Sequence, residues 1–386
     1  MPILSSQRHL FDIPGDVAYL NCAYMSPLSN AVAAAGRDGV DRKRHPWAVL
    51  PADFFALANQ ARNAYARLLG APATADDIAL VPAASYGMAV ACANLPVGAG
   101  QTVLVLAEEF PSTILAWRER ARAAGAELIT VPRPADHDWT GAILQHIDHR
   151  TAAAALPAVH WIDGAAVDLV RVAARLREVG AGLALDLTQS LGARPFPLAE
   201  VDPDFLVVAG YKWLLSPYST GFLYVAPRRQ NGRPLEHHWF GRAGSEDFSN
   251  LGYPDGFQPG ARRFDVGEPS NFGLLPGAIA AVEQILEWGV DRIEATAGAF
   301  TDAIAIRAAP LGLTAVPAPL RARHYLGLTT AERLPADLGG ALARHGVHVS
   351  IRGGRTLRIT PHVYNESWEV DRLFAVLEPV LAGPRP

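Results

Sequence analysis

The stretch Ala181-Gly182-Leu183-Ala184-Leu185-Asp186-Leu187-Thr188-Gln189-Ser190-Leu191-Gly192 runs an apolar segment directly into a carboxylate. Its apolar residues are consecutive rather than alternating, so 181–187 reads as a strand buried on both faces. Working outward, comparable runs lie at 77–82, 102–107, 127–131, 152–159, 205–208 and 221–225. Helical stretches separate many of them, at 85–95, 113–124 and 169–179. Strands alternating with helices predict an α/β fold with a mostly parallel sheet between helices. Before this alternation lie a loop-like segment, an Ala-rich helical stretch and a second one carrying Phe54 and Phe55. After it, 230–260 is rich in Gly, Pro, Asn and aromatics and reads as a long functional loop. Helices then follow at 277–288 and 297–308, short strands near 325–328, 348–351 and 356–359, and a closing helix at 369–381. This predicts a large domain over 15–260. The smaller C-terminal α+β domain spans 261–386, joined by the N-terminal segment 1–14.

The 386 residues carry 34 Lys+Arg against 38 Asp+Glu, a net charge of -4. No basic surplus exists to neutralise a nucleic-acid backbone or an anionic membrane. No run approaches the roughly 18 apolar residues of a bilayer span. The first residues lack a cationic region followed by an apolar run, so a cytoplasmic protein is expected. Cys22 and Cys92 are too few for a disulfide framework or a thiolate metal site. His137, His146 and His149 fall in a polar loop region and read as solvated rather than metal-binding, so no metal is expected.

In an open parallel sheet, ligands bind where the strands end. Four polar features fall there or on a late strand. Ala84-Ser85-Tyr86-Gly87 opens a helix after the 77–82 strand, and free N–H groups at a helix start suit a phosphate; a plain serine cap is the alternative. Asp186 ends a buried strand, where a carboxylate is costly unless it meets a cation or donors. Lys212 follows the apolar run before Tyr211 and precedes Trp213-Leu214-Leu215; a desolvated lysine becomes an amine nucleophile. Arg358 alternates with Leu357 and Ile359, and its planar fork suits carboxylate capture. Jointly these are the parts that pyridoxal phosphate and an amino-acid substrate need: a phosphate cradle, a carboxylate for the pyridine nitrogen, a Schiff-base lysine and an arginine.

The order and spacing resemble the class V aminotransferase family of fold-type I pyridoxal-phosphate enzymes. Asp186-x-x-Gln189-x-x-Gly192 with Lys212 26 residues after Asp186 is the most specific part of the likeness. It extends from Tyr19-Leu20-Asn21-Cys22-Ala23, similar to the family's N-terminal substrate-side loop, to Arg358-Ile359-Thr360-Pro361-His362-Val363-Tyr364-Asn365. The resemblance implies a fold-type I architecture: a large domain with a mostly parallel seven-stranded sheet, and a smaller C-terminal α+β domain. It implies pyridoxal 5'-phosphate as cofactor, with Lys212 and Asp186 catalytic, and Ala84, Ser85, Phe110, Gln189 and Tyr211 joining them in binding it. Phe110 would stack on the pyridine ring, and Gln189 would donate to the phenolic oxygen. Arg358, Asn21 and His160 are the residues implied for the substrate, with Trp161 and Asp163 close behind as alternatives to His160 for approaching the cofactor or substrate.

The implied activity is conversion of an amino acid at Cα, nominally by an aminotransferase. A kynureninase-like hydrolase, a C–S or C–C lyase and an epimerase are the alternatives; a cofactor-binding module without turnover fits least. Persulfide chemistry is not expected, because 348–354 (His348-Val349-Ser350-Ile351-Arg352-Gly353-Gly354) holds no cysteine. The family also implies a homodimer with shared active sites, reached through Arg263-Phe264-Asp265-Val266-Gly267-Glu268-Pro269. There Glu268 is expected to pair with Arg262 or Arg263, leaving Ser270 and Asn271 as candidate donors to the partner's phosphate.

Overall fold

The computed structural model describes residues 3–249 and 252–381; the first two residues and 382–386, at the ends of the expected smaller domain, lie outside them. Strand β1 (Ala18–Tyr19) precedes helices α1 (Asn30–Arg42) and α2 (Asp53–Leu69). Then the alternation begins: β2 (Ile78–Leu80), α3 (Ala84–Asn94), β3 (Thr102–Leu106), α4 (Pro111–Ala124), β4 (Glu127–Val131), α5 (Trp139–His146), β5 (Thr151–Pro157), α6 (Leu169–Glu178), β6 (Gly182–Asp186), α7 (Leu198–Val201), β7 (Phe205–Ala209) and β8 (Gly221–Val225). These seven strands form one sheet in the order β2-β8-β7-β6-β5-β3-β4, in which β8 alone runs against its neighbours. The sheet is the mostly parallel, seven-stranded one implied by the resemblance.

Its strands are buried on both faces because both faces are covered. In β3, Val103 and Val105 join the apolar cluster on one side while Leu104 and Leu106 join the cluster on the other. Helix α3 lies close on β7, an approach that needs Gly87: a Cβ there would stand 2.4 Å from Val207 Cγ2. Helix α4 starts with Pro111 in its first turn and ends on Gly125 in the left-handed conformation, a Pro-in, Gly-out pattern that fixes its length.

Helices α8 (Leu275–Trp288) and α9 (Val290–Ala308) follow the loop-rich 230–260 region, with α1 and α2 packed on α8. The remaining strands are β9 (Thr314–Ala315), β10 (Leu326–Thr329), β11 (Val347–His348), β12 (Ser350–Arg352) and β13 (Thr356–Ile359); α10 (Leu338–Arg344) precedes β11 and α11 (Ser367–Leu381) closes the described chain. Strands β12-β13-β10-β9 make an antiparallel sheet, and β1 pairs in parallel with β11. The expected single strand near 348–351 is thus two, β11 and β12, on different sheets.

Two glycines let this small sheet approach the segment after β5. A Cβ on Gly327 would stand 2.4 Å from Asp163 Cα, and Gly164, at φ +80°, faces Tyr325 just as closely. Because Gly327 pairs directly with Arg358, the close approach sets Arg358 against Trp161.

Candidate active site

A cavity of about 280 Å³ opens at the C-terminal ends of β2, β3, β5, β6 and β7. The β2–α3 turn and the start of α3 contribute Ala83, Ala84 and Ser85; the segment after β3, Glu109 and Phe110; that after β5, Trp161; the end of β6 and the turn after it, Asp186, Thr188 and Gln189; and the segment after β7, Tyr211 and Lys212. Tyr218 and Ser219 close it from the turn before β8.

Helix α3 carries no side-chain cap. Its first N–H groups and the positive end of its dipole are therefore free to meet an anion. Asp186 Oδ1 accepts the Thr188 N–H at 2.9 Å. Burial pushes this carboxyl up, while the Thr188 contacts and the Lys212 charge pull it back. Such a group is most stable when it faces a cation or an N–H donor. Lys212 is 6% exposed, and burial lowers its ammonium to about 8, with Arg358 and Arg352 adding repulsion and Asp186 opposing them. Its Nζ stands 5.3 Å from the Phe110 ring centroid and 5.3 Å from that of Tyr211. Phe110 in turn meets Trp161 edge-on, with centroids 5.6 Å apart. Gln189 accepts from the Trp213 indole N–H at 3.0 Å and donates to the Ala23 carbonyl at 3.3 Å, which holds its amide at the cavity wall.

The small sheet stands behind Trp161, which it reaches through Arg358. Arg358 is 1% exposed. Its Nη1 donates to the Trp161 carbonyl at 3.2 Å and its Nη2 to Ser350 Oγ at 3.4 Å; its Nε is buried without a partner.

Three expectations are corrected. His160 does not line the cavity. It is fully buried behind it, stacked on Trp139, with Nε2 against the Ala107 carbonyl at 3.2 Å and Nδ1 beside Asp163. Its neighbour Trp161 faces the cavity instead. Asn21 is likewise set back: its Oδ1 accepts from Ser350 Oγ at 2.9 Å, so it supports the arginine wall rather than forming it. The expected pairing of Glu268 also fails. Arg262 pairs with Asp76 and Arg263 donates to the Gly232 carbonyl, leaving Glu268 exposed beside a separate groove. Ser270 donates to the Phe54 carbonyl, and Asn271 accepts the Gly273 and Leu274 N–H groups at the start of α8. No metal-holding cluster of His, Cys, Asp or Glu occurs among the described residues.

Sequence reasoning missed two charged residues near the cavity. Glu109 is buried, one oxygen taking the Phe110 N–H at 2.6 Å and the other unpartnered; burial pushes its carboxyl up to about 7. A carboxylate directly after the β3 apolar run was its signal. Arg352 sits with its guanidinium 5.7 Å from the Trp161 ring, and only the strand register reveals it.

The Aminotransferase class-V family model matches residues 45–373. The chain belongs to the class V aminotransferase family. The chain is 26% identical to an uncharacterized aminotransferase, YcbU, of Bacillus subtilis over 80% of each protein. It is 28% identical to a kynureninase of Deinococcus radiodurans over 70% of this chain and 66% of that one. Cysteine desulfurases are also among its relatives. In fold it is similar to the cystine C–S lyase C-DES, solved as a mutant with glycine covalently linked to its PLP cofactor. The TM-score is 0.87 at 18% identity, covering 97% of this chain and 100% of that one.

Pyridoxal phosphate is the cofactor of class V enzymes, and the cavity's donor set suits it. An uncapped helix start suits the phosphate, a buried carboxylate with no direct ion pair among the described residues suits the ring nitrogen, and a desolvated amine lies near two aromatic rings. The chain is a PLP-dependent enzyme.

Proposed function

We propose that this class V enzyme converts an α-amino acid at Cα, nominally as an aminotransferase. The observation that carries the reading is one cavity holding the Lys212 amine, the Asp186 carboxyl and the uncapped α3 N-terminus at neighbouring strand ends. When bound, the cofactor supplies an electron sink for the bonds at Cα. Lys212 is the residue we assign to bond its carbonyl carbon. The lowered pKa leaves part of the amine uncharged near neutral pH, which a nucleophile needs. The same Nζ, once free, takes a proton from Cα and returns one, the work of a general base and acid. Asp186 would hold a proton on the ring nitrogen. Ala84, Ser85 and Tyr211 would hold the phosphate, Gln189 would donate to the phenolic oxygen, and Phe110 would stack on the ring. Arg358 takes the substrate carboxylate, which orients Cα over Lys212 and selects the bond that breaks.

A kynureninase-like hydrolase or a lyase is the second reading, favoured by Phe110 and Tyr211 flanking Lys212 and by the kynureninase relative. Persulfide chemistry is disfavoured: Cys22 is fully buried beneath the site, its thiol pushed well up, and Cys92 is buried on the far side of α3 with its thiol raised to about 12. We read the chain as a cytoplasmic homodimer with shared sites and divide it into domains at 260/261. Two unpaired cysteines support the reducing compartment. Val40 and Trp239 line the Glu268 groove and are exposed, as are Trp47 and Leu50 next to its Pro46 and Val49, which supports burial against a second copy. Screening purified holoenzyme against single amino acids, with cofactor absorbance and product analysis as readouts, tests the reading. A spectrum that no amino acid perturbs would overturn it.

A further inference from the structure

The arginine wall carries more positive charge than one α-carboxylate requires. Ser350 and Arg358 are direct cross-strand partners on β12 and β13, and Arg352 follows Ser350 by two residues. The strand period of two puts all three side chains on one face, with Arg352 and Arg358 as diagonal neighbours roughly 7–8 Å apart. One neutral hydroxyl, Ser350 Oγ, serves both guanidinium groups, each at 3.4 Å. The other Arg352 contact is with its own neighbour's carbonyl, Ile351 O, at 3.1 Å. The Nε atoms of Arg352 and Arg358 are both buried and unpartnered. Neither arginine, nor Lys212 across the cavity, pairs with a carboxylate among the described residues. Two like charges held this close, each lacking a counter-ion, cost energy unless an anion completes them. The Trp161 ring under Arg352 lines the cavity and meets Phe110 edge-on, so only Trp161 stands between Arg352 and the cavity.

We propose that Arg352 binds a second carboxylate, on the substrate side chain, so that the preferred substrates are short dicarboxylic α-amino acids. This rests on the reading of Arg358 as the clamp for the α-carboxylate. With Arg358 fixing one end and Lys212 addressing Cα, a side chain reaching past Trp161 ends at Arg352. Its carboxylate there relieves the repulsion between the two arginines.

The test compares kcat/KM for aspartate with asparagine, and for glutamate with glutamine, in wild-type holoenzyme, Arg352→Gln and Arg358→Ala. A separate binding measurement follows the thermal shift given by succinate, which has no amine to react, against that given by propionate. Wild type is expected to favour acid over amide, and Arg352→Gln to lower that ratio about tenfold or more, the scale of a lost charge-assisted contact. Succinate should stabilise wild type more than propionate does, and this difference should shrink in Arg352→Gln. Arg352→Lys, which keeps the charge and offers a second folded variant, should retain part of the ratio. Arg358→Ala should lower acid and amide together. A wild type indifferent to acid or amide, or an Arg352→Gln variant that lowers both equally, overturns the dicarboxylate proposal and leaves the clamp standing. An Arg358→Ala variant with unchanged constants overturns the clamp itself.

Discussion

The two sides of the site, here called its walls, are built on different principles. The cofactor side is a row of strand ends in a mostly parallel sheet, whose central strands pair on both edges and pack into apolar clusters on both faces. Asp186 and Lys212 are held there by adjacent strands, β6 and β7, whose registers are locked. The other side is one surface of a small antiparallel sheet behind Trp161, set in place by two close glycine contacts with the segment after β5. The first wall fixes a few groups rigidly at a topologically determined spot. The second presents a period-two face whose side chains can be exchanged without disturbing the sheet. Chemistry common to a family belongs on the first and substrate choice on the second, and the two walls should therefore respond to mutation differently.

The largest effect is expected on the parallel-sheet wall. Lys212→Ala should lower turnover about a thousandfold or more, the upper range for losing a general acid–base group that is also the nucleophile. Its thermal unfolding and far-UV spectrum should match wild type, and residual turnover near the wild-type rate would break the distinction between the walls. Asp186→Asn should still hold the cofactor but slow Cα chemistry about a hundredfold, as expected for one lost preorganised electrostatic contact. Exchange of the substrate Cα proton with solvent deuterium measures this step; equal exchange would reduce Asp186 to a turn residue that accepts from Thr188.

On the antiparallel wall the effect should be smaller and substrate-dependent. Arg358→Lys should lower the specificity ratio of an amino acid over its decarboxylated amine by about ten- to a hundredfold, because an ammonium lacks the planar fork. The matching amine should be almost unaffected, and a ratio equal to wild type would return Arg358 to a merely structural strand face.

The smallest effect concerns stability. Glu109 ionises near 4.5 in an unfolded chain but at about 7 when buried. The folded state therefore binds the extra proton between these values. Its stability falls as pH rises through that window, and the penalty is complete above it. Glu109→Gln should raise the melting temperature of the cofactor-free protein at pH 8, by no more than about 3 kcal/mol of stability, and give no gain at pH 4. Equal gains at both pH values would place the effect in packing rather than charge.

What could be read from the sequence divides along the same line. The seven strands were legible because burial on both faces leaves continuous apolar runs, and Asp186 and Lys212 stood out as charges ending them. The small sheet was harder to read. Residues 348–351 look like one strand, yet Val347–His348 pairs with β1 and Ser350–Arg352 with β13. Arg352 joins Arg358 only through that register, which no spacing in the sequence states. His160 and Asn21 were placed one layer too far forward. Both are polar residues near the site, and whether such a side chain faces a cavity or braces its wall depends on neighbours distant in sequence, here Trp139 and Ser350.

The central claim is that Lys212 carries the cofactor. Borohydride reduction of the holoenzyme, followed by proteolysis and mass spectrometry of the labelled peptide, tests it most directly. The account predicts a single reduced cofactor adduct on Lys212 and none in the Lys212→Ala protein; an adduct on any other residue, or an undiminished adduct in that variant, would contradict it.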